Sequence, residues 1–147
     1  MPITIETLGR LVLKENFTVI TQTYLNYLEE RKGYHPGIDY RARTPLTVYS
    51  PVAGTVSTTG GRYGTVSVKI EGTNTYFIFL HLSKFSVKKD DKVAVGTVIG
   101  LTGSAGTINP HLHVEARKNF DSAVAYFKDP KMTGTNVNPT SVVNVGK

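Results

Sequence analysis

The chain has 147 residues, 39% of them hydrophobic, and a net charge of +6 from 17 basic and 11 acidic residues. This is the size of one domain with one core, and it excludes a disordered or fibrous protein. There is no cysteine, which excludes disulfides and thiolate metal sites, while the positive charge favours an anionic partner such as nucleic acid, anionic lipid or the bacterial envelope.

Taken in order, residues 3–28 read as a strand, a loop, and then a segment, 17–28, that alternates early and turns polar late. That last segment suits either an extended arm or a short helix. Glu6, Arg10, Lys14 and Glu15 interrupt any apolar run near the N-terminus, so no signal peptide is expected, and nowhere is there a stretch of about 20 apolar residues suited to a membrane span. Pro36 and Gly37 mark a tight turn. From residue 45 the pattern is of short strands: 46–52, then three segments rich in Val, Thr, Ile and aromatics, punctuated by Gly54, Gly60, Gly61, Gly64 and Gly72. Residues 85–103 read as loop, short strand, turn at Gly96 and strand. Residues 109–117 read as a strand, 121–130 as a helical turn or loop, and 138–145 as the end of the domain. The expected fold is mainly β, a single domain over 1–147 built of curled antiparallel sheets, sandwich-like and grooved.

Four histidines stand out: His35, His81, His111 and His113. A lone histidine is more often structural than functional, but these come in suggestive settings. His111 and His113 are two apart in a strand, so both imidazoles face one side while Leu112 and Val114 face the other. His35 and Asp39 are separated by the Pro36-Gly37 turn, which can bring an imidazole and a carboxylate to one centre, both of them zinc-type ligands. His81 ends an apolar strand, as a structural hydrogen-bonding group or as a catalytic or supporting imidazole. Three protein ligands and an open fourth position would be a catalytic rather than a structural zinc arrangement.

At this point the sequence resembles the lysostaphin-type zinc metallopeptidases, metallopeptidase family 23. His35-Pro36-Gly37-Ile38-Asp39 fits the motif His-x-Gly-x-Asp. Residues 48–56, the Arg62-Tyr63-Gly64 turn, Phe79-Leu80-His81-Leu82-Ser83, the glycine-spaced stretch 87–100 and residues 103–117 follow the family's order, as does 138–143. The resemblance runs from about Tyr34 to Val142. It implies a duplicated-hybrid-motif type of β fold, a catalytic core over 34–143 after an N-terminal arm over 1–30, and zinc (Zn2+) held by His35, Asp39 and His113. It also implies catalytic imidazoles at His81 and His111, with His111 favoured as base. The implied activity is hydrolysis of peptide bonds in peptidoglycan cross-links or stem peptides. The implied setting is the cell wall, outside the cytoplasm, and with no signal peptide expected, phage-virion, lysis or injected-effector delivery is the expected route.

Three departures accompany the resemblance. Asp90 replaces a usual Gly, Phe79 a common Tyr, and the stretch 118–137 is longer than in compact members and is expected to reshape one wall of the groove. Glu115 is expected on the His113 face as a supporting or salt-bridging residue. No nucleic acid is expected as partner, and a monomer is expected. The alternatives are an inactive family member acting as a wall-binding adaptor, a lipoyl-type carrier domain suggested by residues 87–100, and a basic β-domain for nucleic acid. The first predicts lost ligands, the second a carrier lysine that is missing, and the third leaves the histidine pattern to chance.

Overall fold

A computed structural model describes residues 3–124, 126–127 and 135–143. Among the described residues there are thirteen short strands, and the main sheet is open and antiparallel. Its strands in spatial order are β1 (Ile20–Gln22), β4 (Ile38–Arg41), β12 (His111–Lys118), β8 (Thr75–Leu80), β7 (Thr65–Ile70), β6 (Gly54–Gly60) and β10 (Lys92–Val93). β13 (Asn136–Val137) pairs with the far half of β12, beyond the stretch taken by β4. A second sheet joins β5 (Thr47–Tyr49), β11 (Val98–Thr102) and β9 (Leu82–Phe85), and β2 (Tyr27–Leu28) pairs with β3 (Gly33–Tyr34).

Alternation along the central strands separates core from groove. Ile38 and Tyr40 of β4, Leu112, Val114 and Ala116 of β12, and Phe77 and Phe79 of β8 are wholly buried. The residues between them, Asp39, His111, His113 and Glu115, face the other side, as period two requires. Phe79, where the family commonly has Tyr, therefore packs in the core and not in the groove. The mainly β, antiparallel expectation holds, as do the short strand, turn and strand within 85–103.

The N-terminal reading needs correction. Residues 5–12 form a helix, α1 (Ile5–Val12), not a strand. Thr4 caps it, its hydroxyl accepting the Thr7 N–H at 3.0 Å. Ile5, Leu8 and Val12 recur at helical spacing, which outweighs the β-branched Ile3-Thr4-Ile5 run. This segment packs on the hydrophobic core: Leu8, Val12 and Leu13 are fully buried in it, and Tyr40 donates from its hydroxyl to Ile5 O at 2.9 Å. Each such buried aliphatic side chain contributes roughly 1.5–3 kcal/mol, so α1 braces the strand that carries Asp39. Residues 17–28 divide into β1 and β2, with no helix. Among the described residues of 121–130 there is no helix either, while 125 and 128–130 lie outside them. Pro139–Val142 closes the described chain as a 3-10 turn, and residues 144–145 of that segment lie outside it.

Candidate active site

The four histidines and Asp39 meet on the groove face of β4 and β12. The register places His113 directly opposite Asp39 and His111 opposite Arg41. Cross-strand partners lie about 4.5–5.5 Å apart, so the two sides of the site are set by strand pairing alone. His113 Nδ1 is 2.7 Å from one Asp39 oxygen, and His35 Nε2 is 3.3 Å from the other. One ligand atom from each of His35, Asp39 and His113 falls within 4.8 Å of the others, and all three residues are buried. His111 Nε2 lies 3.6 Å from Asp39. The His81 and His111 rings are 4.5 Å apart, and His81 is 6.0 Å from the His113 ring.

Gly37 makes the turn between His35 and Asp39 possible. A Cβ there would collide with the carbonyl oxygen of Val114 and lie 3.0 Å from both Glu115 and His113 Nε2. No side chain fits where the β4 hairpin crosses so close to β12.

Each imidazole has one nitrogen committed to a fixed acceptor. His35 Nδ1 donates to Thr23 O at 3.2 Å, His81 Nδ1 to Ala105 O at 2.7 Å and His111 Nδ1 to Asn109 O at 2.9 Å. A carbonyl only accepts, so Nε2 is left as the free lone pair when the ring is neutral. His113 is turned the other way. Its Nε2 donates to Glu115 Oε1 at 2.9 Å, which leaves Nδ1 toward Asp39. Glu115 is fully buried, and its other oxygen accepts from Val124 N at 3.0 Å and Asn136 Nδ2 at 3.1 Å.

The electrostatics follow from these partners. Burial alone would push His113 down, but hydrogen bonds to Asp39 and Glu115 and their charges raise it to about 10. Burial would raise Asp39, and its hydrogen bonds to His113 and His35 outweigh this and hold the carboxyl well below the usual range. His81 is pushed down to about 4, chiefly by burial, against the raising effect of its bond to Ala105. His81 also has φ +70, the left-handed region. Such a conformation costs a non-glycine residue of order 1–3 kcal/mol and is concentrated at functional sites. Its N–H bonds Tyr63 O at 2.7 Å, which holds it at the one-residue break between β8 and β9.

These groups line a groove of about 880 Å³. Gly60, Gly61 and Gly106 form part of its rim and Thr107 lines it, whereas Ser104 is absent from the lining. From the long 118–137 stretch, residues 121–124 and Tyr126 form one wall. Tyr126 was not anticipated from the sequence; its ring lies 5.7 Å from that of His35. No periodicity marks it, because it sits in a loop ordered by distant contacts.

The sequence profile of peptidase family M23 matches residues 33–139. The chain belongs to peptidase family M23. Among its relatives, the peptidoglycan DD-endopeptidase ShyA of Vibrio cholerae is 39% identical over 94 residues, 62% of this chain and 22% of that protein. The glycyl-glycine endopeptidase ALE-1 of Staphylococcus capitis is 34% identical over 121 residues, 76% of this chain and 33% of the relative. The chain thus spans about a fifth to a third of the length of these relatives. Among solved structures, the catalytic domain of lysostaphin from Staphylococcus simulans superposes with a TM-score of 0.70 at 26% identity, covering 86% of this chain and 92% of that one. A catalytic-domain variant of the prophage-encoded M23 protein EnpA from Enterococcus faecalis gives 0.65 at 27% identity, covering 88% and 92%. Family M23 is zinc-dependent, and this M23 chain carries a His-Asp-His group able to hold a metal. No helix among its described residues is long and apolar enough to cross a membrane.

Proposed function

We propose that this chain is a zinc endopeptidase acting on peptides of bacterial peptidoglycan, with His35, Asp39 and His113 as metal ligands and His81 and His111 as catalytic groups. The observation that carries the reading is the hydrogen-bonding of the imidazoles. His35 presents Nε2 and His113 presents Nδ1 to the Asp39 carboxylate, and in each ring the opposite nitrogen is already held by Thr23 O or Glu115. Once His113 gives up its Nδ1 proton, two imidazoles and one carboxylate with fixed orientation are a donor set suited to zinc, with a supporting carboxylate behind one ligand. Zinc held there supplies Lewis acidity, polarising a peptide carbonyl and making water acidic near neutral pH.

The chain's own residues then handle protons and position. His111 is the favoured base: its Nε2 points toward Asp39 at 3.6 Å, and Asn109 O fixes its tautomer. His81 is neutral at pH 7, its pKa being about 4, and its Nε2 lies free beside His111 to stabilise developing charge or relay a proton to the leaving amine. An extended peptide lies along the groove between the glycines that line it and the wall of residues 121–124 and Tyr126. The relatives named as peptidoglycan and glycyl-glycine endopeptidases supply the substrate class, and the setting at the cell wall follows from that substrate. All three ligand residues are retained, which weighs against the inactive adaptor.

The test is to measure zinc content and then digest purified peptidoglycans of several cross-link chemistries, reading fragments by mass spectrometry with and without a chelator. About one zinc per chain and chelator-sensitive cleavage of a peptide bond are expected. A zinc-loaded chain that releases no peptide fragment from any of them would refute the activity.

A further inference from the structure

The groove carries two arginines that the catalytic machinery does not use. Arg31, in the turn between β2 and β3, lies over the Tyr126 ring at 5.6 Å; Arg62, in the turn between β6 and β7, lies over the Tyr63 ring at 5.7 Å. These pairs flank the row of imidazoles. Tyr126 stands beside His35, 5.7 Å between ring centres, and Tyr63 accepts the His81 backbone N–H. His113 lies between, 4.9 Å from the His35 ring and 6.0 Å from the His81 ring.

The acidic groups of the groove are occupied. Asp39 and Glu115 face His113, and Asp121 accepts from Ser57 at 2.7 Å and Thr58 at 2.6 Å. Among the described residues neither Arg31 nor Arg62 enters an ion pair. Arg31 also hydrogen-bonds the Tyr126 side chain. Each guanidinium is an exposed cation held on an aromatic ring without a carboxylate partner among the described residues, so that donors of its planar fork remain for a ligand. A guanidinium fork matches a carboxylate with two parallel hydrogen bonds. Two of them on opposite sides of the reacting centre suit a substrate with acidic groups on both sides of the cleaved bond.

We propose that Arg31 and Arg62 bind carboxylates of the substrate on either side of the scissile bond, so that this chain selects an acidic stem-type peptide over an uncharged glycine bridge. The inference rests on the endopeptidase reading for its substrate, and it specifies what that reading leaves open.

The experiment uses the full zinc-loaded chain and three peptides in which N-methylation blocks the target amide. One carries free carboxylates on both sides, the second carries carboxamides in their place, and the third is oligoglycine. Binding is measured by calorimetry at low and moderate salt, and the unmethylated peptides are assayed for cleavage. The carboxylate peptide is expected to bind about tenfold or more tighter than the other two, with the advantage shrinking as salt rises. Arg31→Gln and Arg62→Gln should each reduce that advantage by about threefold to tenfold, through Kd and KM. Lys84→Gln removes the same charge from exposed β9 and should leave the advantage intact. Equal binding of carboxylate and carboxamide peptides, or arginine variants that keep the full preference, would overturn the inference. Preference in binding with no cleavage of any peptide sustains the arginine assignment and removes the endopeptidase activity; cleavage without preference does the reverse.

Discussion

Glu115 accepts the Nε2 proton of His113 at 2.9 Å, from a fully buried position two residues along the same strand. The same carboxylate holds Val124 N and Asn136 Nδ2, so one side chain joins the proposed metal ligand to the groove wall. Glu115→Gln keeps the shape but faces amide hydrogens toward donors. It should weaken zinc by about 10–100-fold and cost about 1–3 kcal/mol of stability for the unsatisfied buried donor. Zinc competition titration and thermal unfolding measure the two effects; unchanged zinc affinity would show that Glu115 does not orient His113.

Zinc and a proton compete for His113. With Nδ1 and Nε2 both bonded to carboxylates, the metal-free ring has its pKa raised to about 10 and is charged at neutral pH. Ligation requires the neutral ring. Zinc binding at pH 7.5 should therefore release about one proton per chain, read from calorimetry in buffers of differing ionisation enthalpy. The linkage sign follows: the folded pKa lies above the unfolded value of about 6.5. In the metal-free chain this interaction stabilises fully below pH 6.5 and is lost as pH rises through about 10. Zinc uptake without proton release would contradict a charged His113 in the metal-free chain.

His81 has the opposite sign. Burial lowers its pKa to about 4, below the unfolded value of about 6.5, so its contribution is present above pH 6.5 and is lost as pH falls from 6.5 toward 4. His81→Gln should flatten the acid side of the stability profile over that interval, as followed by denaturant titration at a series of pH values. A variant with the same acid profile as the parent chain would rule this out.

His111→Ala and His81→Ala should each retain zinc while lowering kcat by about 10²–10⁴, because neither is among the three proposed ligands. His35→Ala, Asp39→Ala and His113→Ala should instead lose the metal. Metal analysis beside turnover separates the two groups, and full activity in His111→Ala would remove it as base.

Gly37→Ala places a methyl group against Val114 O, backbone that cannot swing aside. Overpacking of this kind costs about 1–3 kcal/mol. Here it also pushes the His35-to-Asp39 turn away from β12. A lowered Tm together with loss of zinc is expected, and a fully stable variant with normal zinc content would show that the close approach is not required.

Much of the site was legible in the sequence because its chemistry is written locally. Two histidines two apart in a strand must share a face, and His35 and Asp39 bracket a turn marked by Pro36 and Gly37. Ordered motifs from Tyr34 to Val142 carried the fold. The helix 5–12 was misread because a short β-branched run looks extended in isolation, whereas its partners, Tyr40 and the core beneath it, lie elsewhere in the chain.

The sequence by itself determined which side chains can hold a metal, and that the strand bearing His111 and His113 turns both toward one side. Tertiary structure alone decided which nitrogen each imidazole presents, since the acceptors that fix them, Thr23 O, Ala105 O and the Glu115 carboxylate, come from separate segments or depend on a buried rotamer. It also decided that Tyr126 and Arg31 border the groove. Periodicity encodes the face of a strand, but hydrogen-bond partners distant in sequence are set only when the sheets and loops pack.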